Sequence, residues 1–185
     1  GGIVGFLEKD WIESTYVEAN IKAFSSSVGG IVGFLDNEGM TAVNKISQIY
    51  RNYVANSNIT SQTKAGGLIG DIATNLYTEK DYYNNNYIQA DIHTENQLTV
   101  SLGIGGRKDQ NGLLKQTYYY QYSKINGENP NMENEPFILN DQYLIYEDLK
   151  EQDTYQKKLK WSTYFDYTIL QQGKYPILNN SKELG

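Results

Sequence analysis

The sequence predicts a mainly β fold, namely a parallel β-helix-like solenoid of about four glycine-marked repeats with a small C-terminal helical and aromatic cap. Three observations predict it: a recurring glycine phrase, a recurring tyrosine-led strand, and a terminal segment of different composition. We expect the repeats over residues 1–138 and the cap over 139–185, packed together as one structural domain. An antiparallel β-sandwich is the main alternative.

The glycine phrase occurs at residues 1–5, 29–33 and 66–70, with a degraded copy at 102–106. It reads GGIVG, GGIVG, GGLIG and LGIGG. Steps of 28 and 37 residues separate the first three copies, and such a period is typical of repeat architectures. Short apolar segments bounded by glycines indicate buried strands, with the glycines at tight corners or close backbone approaches.

A strand that begins with tyrosine accompanies each phrase. It begins at Tyr16, Tyr53, Tyr87 and, loosely, Tyr120. Apolar and polar residues alternate along it, which indicates a half-buried strand with its apolar side inward and its tyrosine outward. The copy at 53–59 carries one extra residue, which predicts a β-bulge or small turn.

The segment from 139 onward reads as the cap. Acidic residues come first and basic residues last between 147 and 160, an order that complements a helix dipole. Leu149, Tyr155 and Leu159 provide a modest apolar stripe, so we expect one or two short helices here. An atypical terminal unit of this kind would cover the last repeat.

Composition excludes several classes of function. The net charge of −6 and the absence of a basic stripe argue against a nucleic-acid partner. No run approaches the ~20 apolar residues that cross a bilayer, so we expect no membrane insertion by this segment. The absence of cysteine excludes disulfides and thiol chemistry, but it does not indicate the cellular compartment of the chain.

Because the chain begins inside a repeat without methionine, we expect a fragment of a longer protein.

The sequence predicts no catalytic residue, metal site or cofactor. A zinc peptidase of the His-Glu-x-x-His type needs two histidines, and this chain has only His93, which we expect to be a solvated turn residue. With no cysteine and a single histidine, serine and cysteine triads are excluded or unsupported. The run 36–39 is interpreted as a turn rather than a calcium loop.

A carbohydrate-active β-helix is the least favoured alternative. Glycosidic chemistry needs two carboxyl groups about 5–9 Å apart on an open face. The candidate pairs are Glu18 with Asp91, Asp71 with Asp81, and the acids within 36–38. None of these pairs stands out from the repeat pattern.

The outward tyrosines are the best candidate for a binding face, because tyrosine is favoured at protein interfaces and stacks on sugars. The candidate binding residues are Tyr16, Tyr53, Tyr87 and Tyr120. The alternative is that these tyrosines stack and only stabilise neighbouring repeats. The insertion over residues 36–48 is a second candidate for recognition, with Val43 and Ile46 on the packed side of a short helix.

The glycine phrases and tyrosine-led strands, followed by the ending at 147–149, Tyr155, Leu159, Trp161 and 173–178, resemble GLUG repeats and the segment that closes such arrays. Arrays of this kind occur in bacterial cell-surface proteins, including the non-catalytic N-terminal part of gram-positive IgA1-protease-like zinc metallopeptidases. The resemblance covers about residues 1–125 and 147–180. It implies a secreted parent protein attached to the cell wall.

The resemblance and the predicted fold together lead to three functional expectations. The first is a non-catalytic spacer and recognition module that helps to position a protease or to bind host protein. Its partners would then be other domains of the parent chain, and a host protein such as immunoglobulin or a glycan. The second is an adhesin repeat domain that binds host protein or glycan, and the third is the carbohydrate-active β-helix.

Overall fold

The computed structural model describes residues 1–39, 46–74, 83–161, 165–167, 170 and 176–178. In chain order the strands are β1 (Val4–Glu8), β2 (Trp11–Glu13), β3 (Tyr16–Val17), β4 (Asn20–Ala23), β5 (Val28–Gly29), β6 (Val32–Asn37), β7 (Gln48–Tyr50), β8 (Tyr53–Ser61), β9 (Ala65–Gly66), β10 (Ile69–Thr74), β11 (Tyr87–Thr94), β12 (Val100–Ser101), β13 (Tyr118–Tyr120), β14 (Lys124–Ile125), β15 (Tyr143–Leu144), β16 (Phe165–Asp166) and β17 (Ile177–Leu178). Short 3₁₀ helices span Gln97–Thr99, Lys108–Leu113, Asn140–Gln142 and Asp148–Lys150, and a π-helical turn spans Thr154–Lys158.

The strands form five sheets. Sheet 1 has the order β1-β6-β10, and sheet 3 has the order β12-β9-β5. Sheet 2 has seven strands, in the order β15-β13-β11-β8-β3, with β14 paired to β11 and β4 paired to β8. Two small sheets consist of β2 with β7 and of β16 with β17, and only the second of these is antiparallel.

The prediction of one parallel β-helix-like solenoid is therefore wrong, because the strands lie in separate sheets instead of one β-helix stack. Left-handed backbone at residues such as Lys9, Ser14 and Arg51 separates one short strand from the next. The fourth glycine phrase adds no strand to sheet 1, and only an isolated bridge joins Ile104 to Ile69. The mainly β composition agrees with the sequence.

Parallel pairing joins equivalent positions of neighbouring repeats. In sheet 1, Val4 and Ile69 both pair with Val32. In sheet 2, a row of isoleucines pairs in register through Ile21, Ile59, Ile92 and Ile125. These apolar rows point into one shared core, where burying each large side chain contributes about 1.5–3 kcal/mol.

The predicted β-bulge is confirmed. The register between β8 and β11 shifts by one residue after Val54, which pairs with Ile88, so that Ser57 pairs with Ala90. The extra residue is Asn56, whose φ of 44° is the left-handed conformation that asparagine tolerates. The alternation in β11 is also confirmed, because Ile88, Ala90 and Ile92 are all buried.

The second glycine of the phrase lies where the backbones of two repeats approach most closely. A Cβ on Gly30 would lie 2.2 Å from the carbonyl oxygen of Gly67. A Cβ on Gly67 would lie 2.1 Å from the carbonyl oxygen of Leu102 and 2.6 Å from the Ile88 side chain. No side chain fits at these separations, so the predicted close backbone approach is confirmed.

The fourth phrase differs because, among the described residues, no later backbone group bonds to it. In the third copy, Gly67 N–H donates to the Ser101 carbonyl (2.9 Å) and Leu68 N–H to the Gly103 carbonyl (3.1 Å). The equivalent N–H of Leu102 donates instead to the carboxyl of Glu135 (2.6 Å). Because the acceptor here is a side chain and not the backbone carbonyl of another repeat, leucine can occupy the position that is glycine in the earlier copies.

Two further side-chain oxygens accept the next N–H groups of the fourth phrase, at the end of the repeats. Gly103 N–H donates to Ser101 Oγ (3.1 Å), and Ile104 N–H donates to Asn111 Oδ1 (2.7 Å). Asn111 also donates to Ser101 Oγ (2.9 Å), and the Ser101 hydroxyl then donates to Glu135 Oε2 (2.9 Å). Buried N–H groups of the last phrase are thus satisfied locally. Asn111 and Glu135, which precede the predicted cap at 139–185, supply these acceptors, while β15 within 139–185 pairs with β13 at the end of sheet 2.

Glu135 is a buried carboxyl group with a raised pKa. Burial raises the pKa of Glu135 to about 7, opposed by the bonds from Leu102 N–H and Ser101 and by the charge of Lys108. Burial also raises the pKa of Tyr119 and Tyr143, and the nearby Glu135 charge adds to both shifts. Folding therefore disfavours the ionised form of Glu135, because burial outweighs the hydrogen bonds that favour the carboxylate.

We expect Gly67→Ala to lower the free energy of unfolding by about 3 kcal/mol, because the added methyl group forces two backbones apart. Gly5→Ala is the matched control, since a Cβ at Gly5 would meet no atom within 4 Å. Urea denaturation of both variants measures the difference. Equal stability of the two variants would show that the phrase does not require close backbone approach.

We expect the stability of the protein to fall as pH rises from about 4.5 to about 7. Native Glu135 stays protonated over this range while the unfolded state ionises, so unfolding releases a proton and becomes more favourable by about 3 kcal/mol in total. Glu135→Gln removes this slope in urea titrations at stepped pH, and Glu133→Gln, at an exposed neighbour, retains it. If the free energy of unfolding of the wild type and of Glu135→Gln changed equally with pH, the account would be contradicted.

Candidate functional site

The structure places the four predicted binding tyrosines in different environments. Tyr16, Tyr53 and Tyr87 pair in register across β3, β8 and β11. The fourth member of this row is Tyr118, which pairs with Tyr87, and not Tyr120. Tyr16 is exposed, Tyr53 and Tyr87 are 1% and 0% exposed, and Tyr120 is half-buried.

The C-terminal segment buries Tyr53. Trp161 packs against the Tyr53 ring at 4.9 Å between centroids, and its indole N–H donates to the Asn85 carbonyl (2.8 Å). The Tyr53 hydroxyl donates to the Pro176 carbonyl, and burial raises the pKa of Tyr53 above its usual range. The expectation that Tyr53 and Tyr87 lie on an open face is therefore wrong, because the segment from Leu144 onward forms a second apolar core with them.

The predicted helices of this segment are present as short turns. Leu149, Tyr155 and Leu159 are buried in the second core, as the apolar stripe predicts. The Tyr155 hydroxyl donates to the Leu149 carbonyl (2.7 Å), and the Tyr155 ring packs against Trp161 at 5.3 Å. The segment therefore covers the tyrosine side of sheet 2.

A row of side chains just before the tyrosines was missed in the sequence. Asn52 Oδ1 accepts from Thr15 N–H (2.9 Å), and Asn86 Oδ1 accepts from Asn52 N–H (3.1 Å). Asn52 and Asn86 are fully buried and tie the corner of each repeat to the next. The recurring asparagine–tyrosine dipeptide at 52–53 and 86–87 is the signal that could have found this row.

An open polar cleft remains on sheet 2 beside the covered tyrosines. It has a volume of about 210 Å³ and spans three successive repeats. Its lining is formed by Asn56, Ser57, Asn58, Gln89, Ala90, Asp91, Tyr120, Tyr122 and Ser123. Of the four predicted binding residues, only Tyr120 lines it.

The β-bulge and the strand register build this cleft. The bulge at Asn56 places its amide beside Gln89, whose Nε2 donates to Asn56 Oδ1 (3.1 Å). Asn58 Nδ2 donates to Asn20 Oδ1 (2.7 Å), and Asp91 Oδ1 accepts from Lys124 N–H (3.1 Å). The polar groups are thus held in place by neighbouring repeats before any ligand arrives.

Among the described residues, the remaining sequence candidates form no second site. His93 is exposed as expected, but it lies within β11 instead of a turn. Asp36 Oδ1 accepts from Glu38 N–H (2.9 Å), and Gly39 has a φ of 71°, which confirms the turn. Of the insertion over 36–48, residues 40–45, including Val43, lie outside the described residues, and Ile46 is buried.

The structure separates the Glu18–Asp91 pair, and the Asp71–Asp81 pair lies partly outside the described residues. Asp91 pairs with Asn58, which itself pairs with Asn20, so β8 separates Asp91 from the Glu18 segment. Asp71 forms an ion pair with Lys64, and its proposed partner Asp81 lies outside the described residues. Within the described ranges, no three His, Cys, Asp or Glu side chains are grouped so that they could hold a metal ion.

The first repeat exposes large apolar side chains along its outer edge. They are Ile3, Phe6, Trp11, Tyr16 and Phe24. Phe6 stacks on Phe34 of the next repeat at 5.8 Å, which leaves its other face open to solvent. Edge strands with such side chains are suited to contact with other protein segments.

The comparisons with known proteins found no matching family model, no matching curated protein and no matching solved structure. Among the described residues, no helix has the length and apolar character needed to span a membrane. The function is therefore argued from the geometry of this chain.

We expect Trp161→Ala to lower the free energy of unfolding by about 3–5 kcal/mol, because it empties the centre of the second core. Trp11→Ala is the matched control, since Trp11 is 65% exposed whereas Trp161 is 3% exposed. We expect it to cost less than about 1 kcal/mol. Chemical denaturation followed by far-UV circular dichroism measures both, and similar losses would contradict the packing of the C-terminal segment on sheet 2.

Proposed function

We propose that this chain is a non-catalytic spacer and recognition module of a secreted bacterial surface protein, with the sheet 2 cleft as its binding surface. The resemblance to GLUG repeats supports this setting, and within it an IgA1-protease-like zinc metallopeptidase is the parent that we propose. The module would then help to position the protease or bind host protein. An adhesin repeat domain is the second candidate.

The observation that carries the proposal is the contrast between the two parts of sheet 2. The C-terminal segment buries Tyr53 and Tyr87, so stacked tyrosines stabilise the repeats on that side. The neighbouring cleft keeps a half-buried and an exposed tyrosine, Tyr120 and Tyr122, beside amide and carboxylate groups. Aromatic surface next to fixed polar groups is the composition of binding sites.

Binding is favoured over hydrolysis by the chemistry of the cleft. Among the described residues that line it, Asp91 is the one carboxylate. A glycosidase needs a second carboxyl group as its acid or nucleophile partner. A single carboxylate can accept hydrogen bonds from a ligand, but it cannot supply both roles of that reaction.

The exposed edge of the first repeat supports the spacer part of the proposal. Trp11 and Phe24 are exposed there, whereas Glu135 and Asn111 close the opposite end with side-chain hydrogen bonds. Contacts with other domains of the parent chain would therefore form at the first repeat. The parent protein supplies a simple check, since a His-Glu-x-x-His sequence elsewhere in it supports the metallopeptidase setting and its absence favours the adhesin.

The recognition role is tested by immobilising the chain and measuring binding and turnover together on immunoglobulin A and an oligosaccharide array. We expect binding of one of these classes without peptide cleavage or sugar release. Asn58→Ala, at the cleft, weakens that binding, whereas His93→Ala, exposed on the same strand as Asp91, leaves it unchanged. Release of product by the wild type, abolished by Asp91→Asn, would overturn the non-catalytic assignment.

A further inference from the structure

We propose that the sheet 2 cleft binds a neutral saccharide, with one sugar ring stacked on Tyr122. This inference rests on the proposed function, because it takes the cleft to be the binding surface and names the ligand class. Three properties of the cleft carry it: a supported aromatic platform, amide groups with unused hydrogen-bonding capacity, and a negative charge in the lining.

The aromatic platform is Tyr122. Tyr122 is 53% exposed, so a large part of the residue is accessible to a ligand. Tyr120 contacts it edge to face, with the ring centroids 5.6 Å apart and an interplanar angle of 72°. This contact fixes the orientation of Tyr122, and a fixed ring loses little entropy when a sugar packs its C–H groups against the ring.

The side-chain amides of the cleft can form hydrogen bonds with the hydroxyl groups of a sugar. Each amide nitrogen carries two hydrogens, and the bonds from Gln89 to Asn56 and from Asn58 to Asn20 use one hydrogen of each donor. The second hydrogens of Gln89 and Asn58 and both hydrogens of Asn56 Nδ2 remain for ligand oxygens. Adjacent sugar hydroxyls that donate and accept together fit such a surface.

The charge of the cleft selects neutral over acidic sugars. Asp91 lies in the lining, and its carboxylate accepts hydrogen bonds only, so it suits a hydroxyl donor and repels a uronate or sialate. Lys124 pairs with Asp91 in the register, but its ammonium donates to Asn129 Oδ1, and Lys124 is not among the described lining residues. The chain as a whole carries a net charge of −6.

The size of the cleft limits the contact to one ring. Its volume of about 210 Å³ is below the ~300–1,000 Å³ typical of sites that enclose drug-sized ligands. The rest of a longer glycan would therefore extend over the sheet and contribute little affinity. We expect weak binding, with a dissociation constant on the order of millimolar, as is common for sites with few buried atoms.

The experiment is an NMR titration of the ¹⁵N-labelled chain with chitohexaose, cellohexaose, mannohexaose and, as the acidic probe, hexagalacturonate. We expect one neutral probe to shift the amides of Asn58, Gln89, Asp91 and Tyr122, and hexagalacturonate to shift none of them. Tyr122→Ala weakens this binding about tenfold, while Tyr122→Phe keeps the stacking ring and stays within about threefold. Phe24→Ala, which removes an exposed aromatic ring elsewhere, changes nothing.

The outcomes separate this inference from the proposed function. Shifts of the cleft amides with hexagalacturonate alone, or equal affinity of wild type and Tyr122→Ala for a neutral probe, would overturn the neutral-saccharide assignment. Binding of immunoglobulin A at the cleft without any saccharide binding would also overturn it, yet would leave the recognition role intact. The absence of binding by every probe at this cleft would overturn both.

Discussion

The close approach of neighbouring backbones at Gly30 and Gly67 is the constraint on which the rest of the structure depends. A carbonyl oxygen lies about 2 Å from where a Cβ would be at each position, so only glycine permits the approach. This spacing holds the repeats in register, and the register in turn aligns the isoleucine row, the tyrosine row and the buried asparagines. The polar cleft follows from the same register, since its lining comes from three repeats.

The fourth copy of the glycine phrase marks the end of the repeats, because its sequence departs from the earlier copies. Leucine replaces glycine at 102 because the carboxyl of Glu135, and not a backbone carbonyl, accepts the Leu102 N–H. The side chain of Asn111 does the same for Ile104. A degraded copy of a repeat thus marks the point at which local side chains take over from backbone pairing. The cost of this arrangement is a buried carboxyl group whose ionisation is unfavourable.

Local patterns in the sequence were sufficient for the glycine-phrase and tyrosine-led strands, for a bulge within residues 53–59 and for the buried side of β11, because each depends on neighbouring residues. The repeat period could not predict that the strands lie in distinct sheets. A period shows that a sequence pattern recurs, but not whether the strands pair in one unbroken stack. The burial of Tyr53 depends on Trp161, more than 100 residues away, so its outward parity in β8 was misleading. The cleft was found only in part, through Tyr120, because its amides belong to three separate repeats.

Sheet 2 therefore has two parts, one that stabilises the fold and one that we propose as a binding surface. Tyr53 and Tyr87 pack with the C-terminal segment in the second apolar core, and the polar cleft beside them is the binding surface that we propose. The same register that the glycines permit ends where the Glu135 and Asn111 side chains replace backbone pairing at the last glycine phrase.

Amide hydrogen exchange measured by NMR tests this central claim most directly. We expect the N–H groups of Leu102 and Ile104 to exchange as slowly as that of Gly67, because all three are bonded and buried. Exchange of Leu102 and Ile104 orders of magnitude faster than Gly67 would show that the repeats end in an open edge, and would contradict the account.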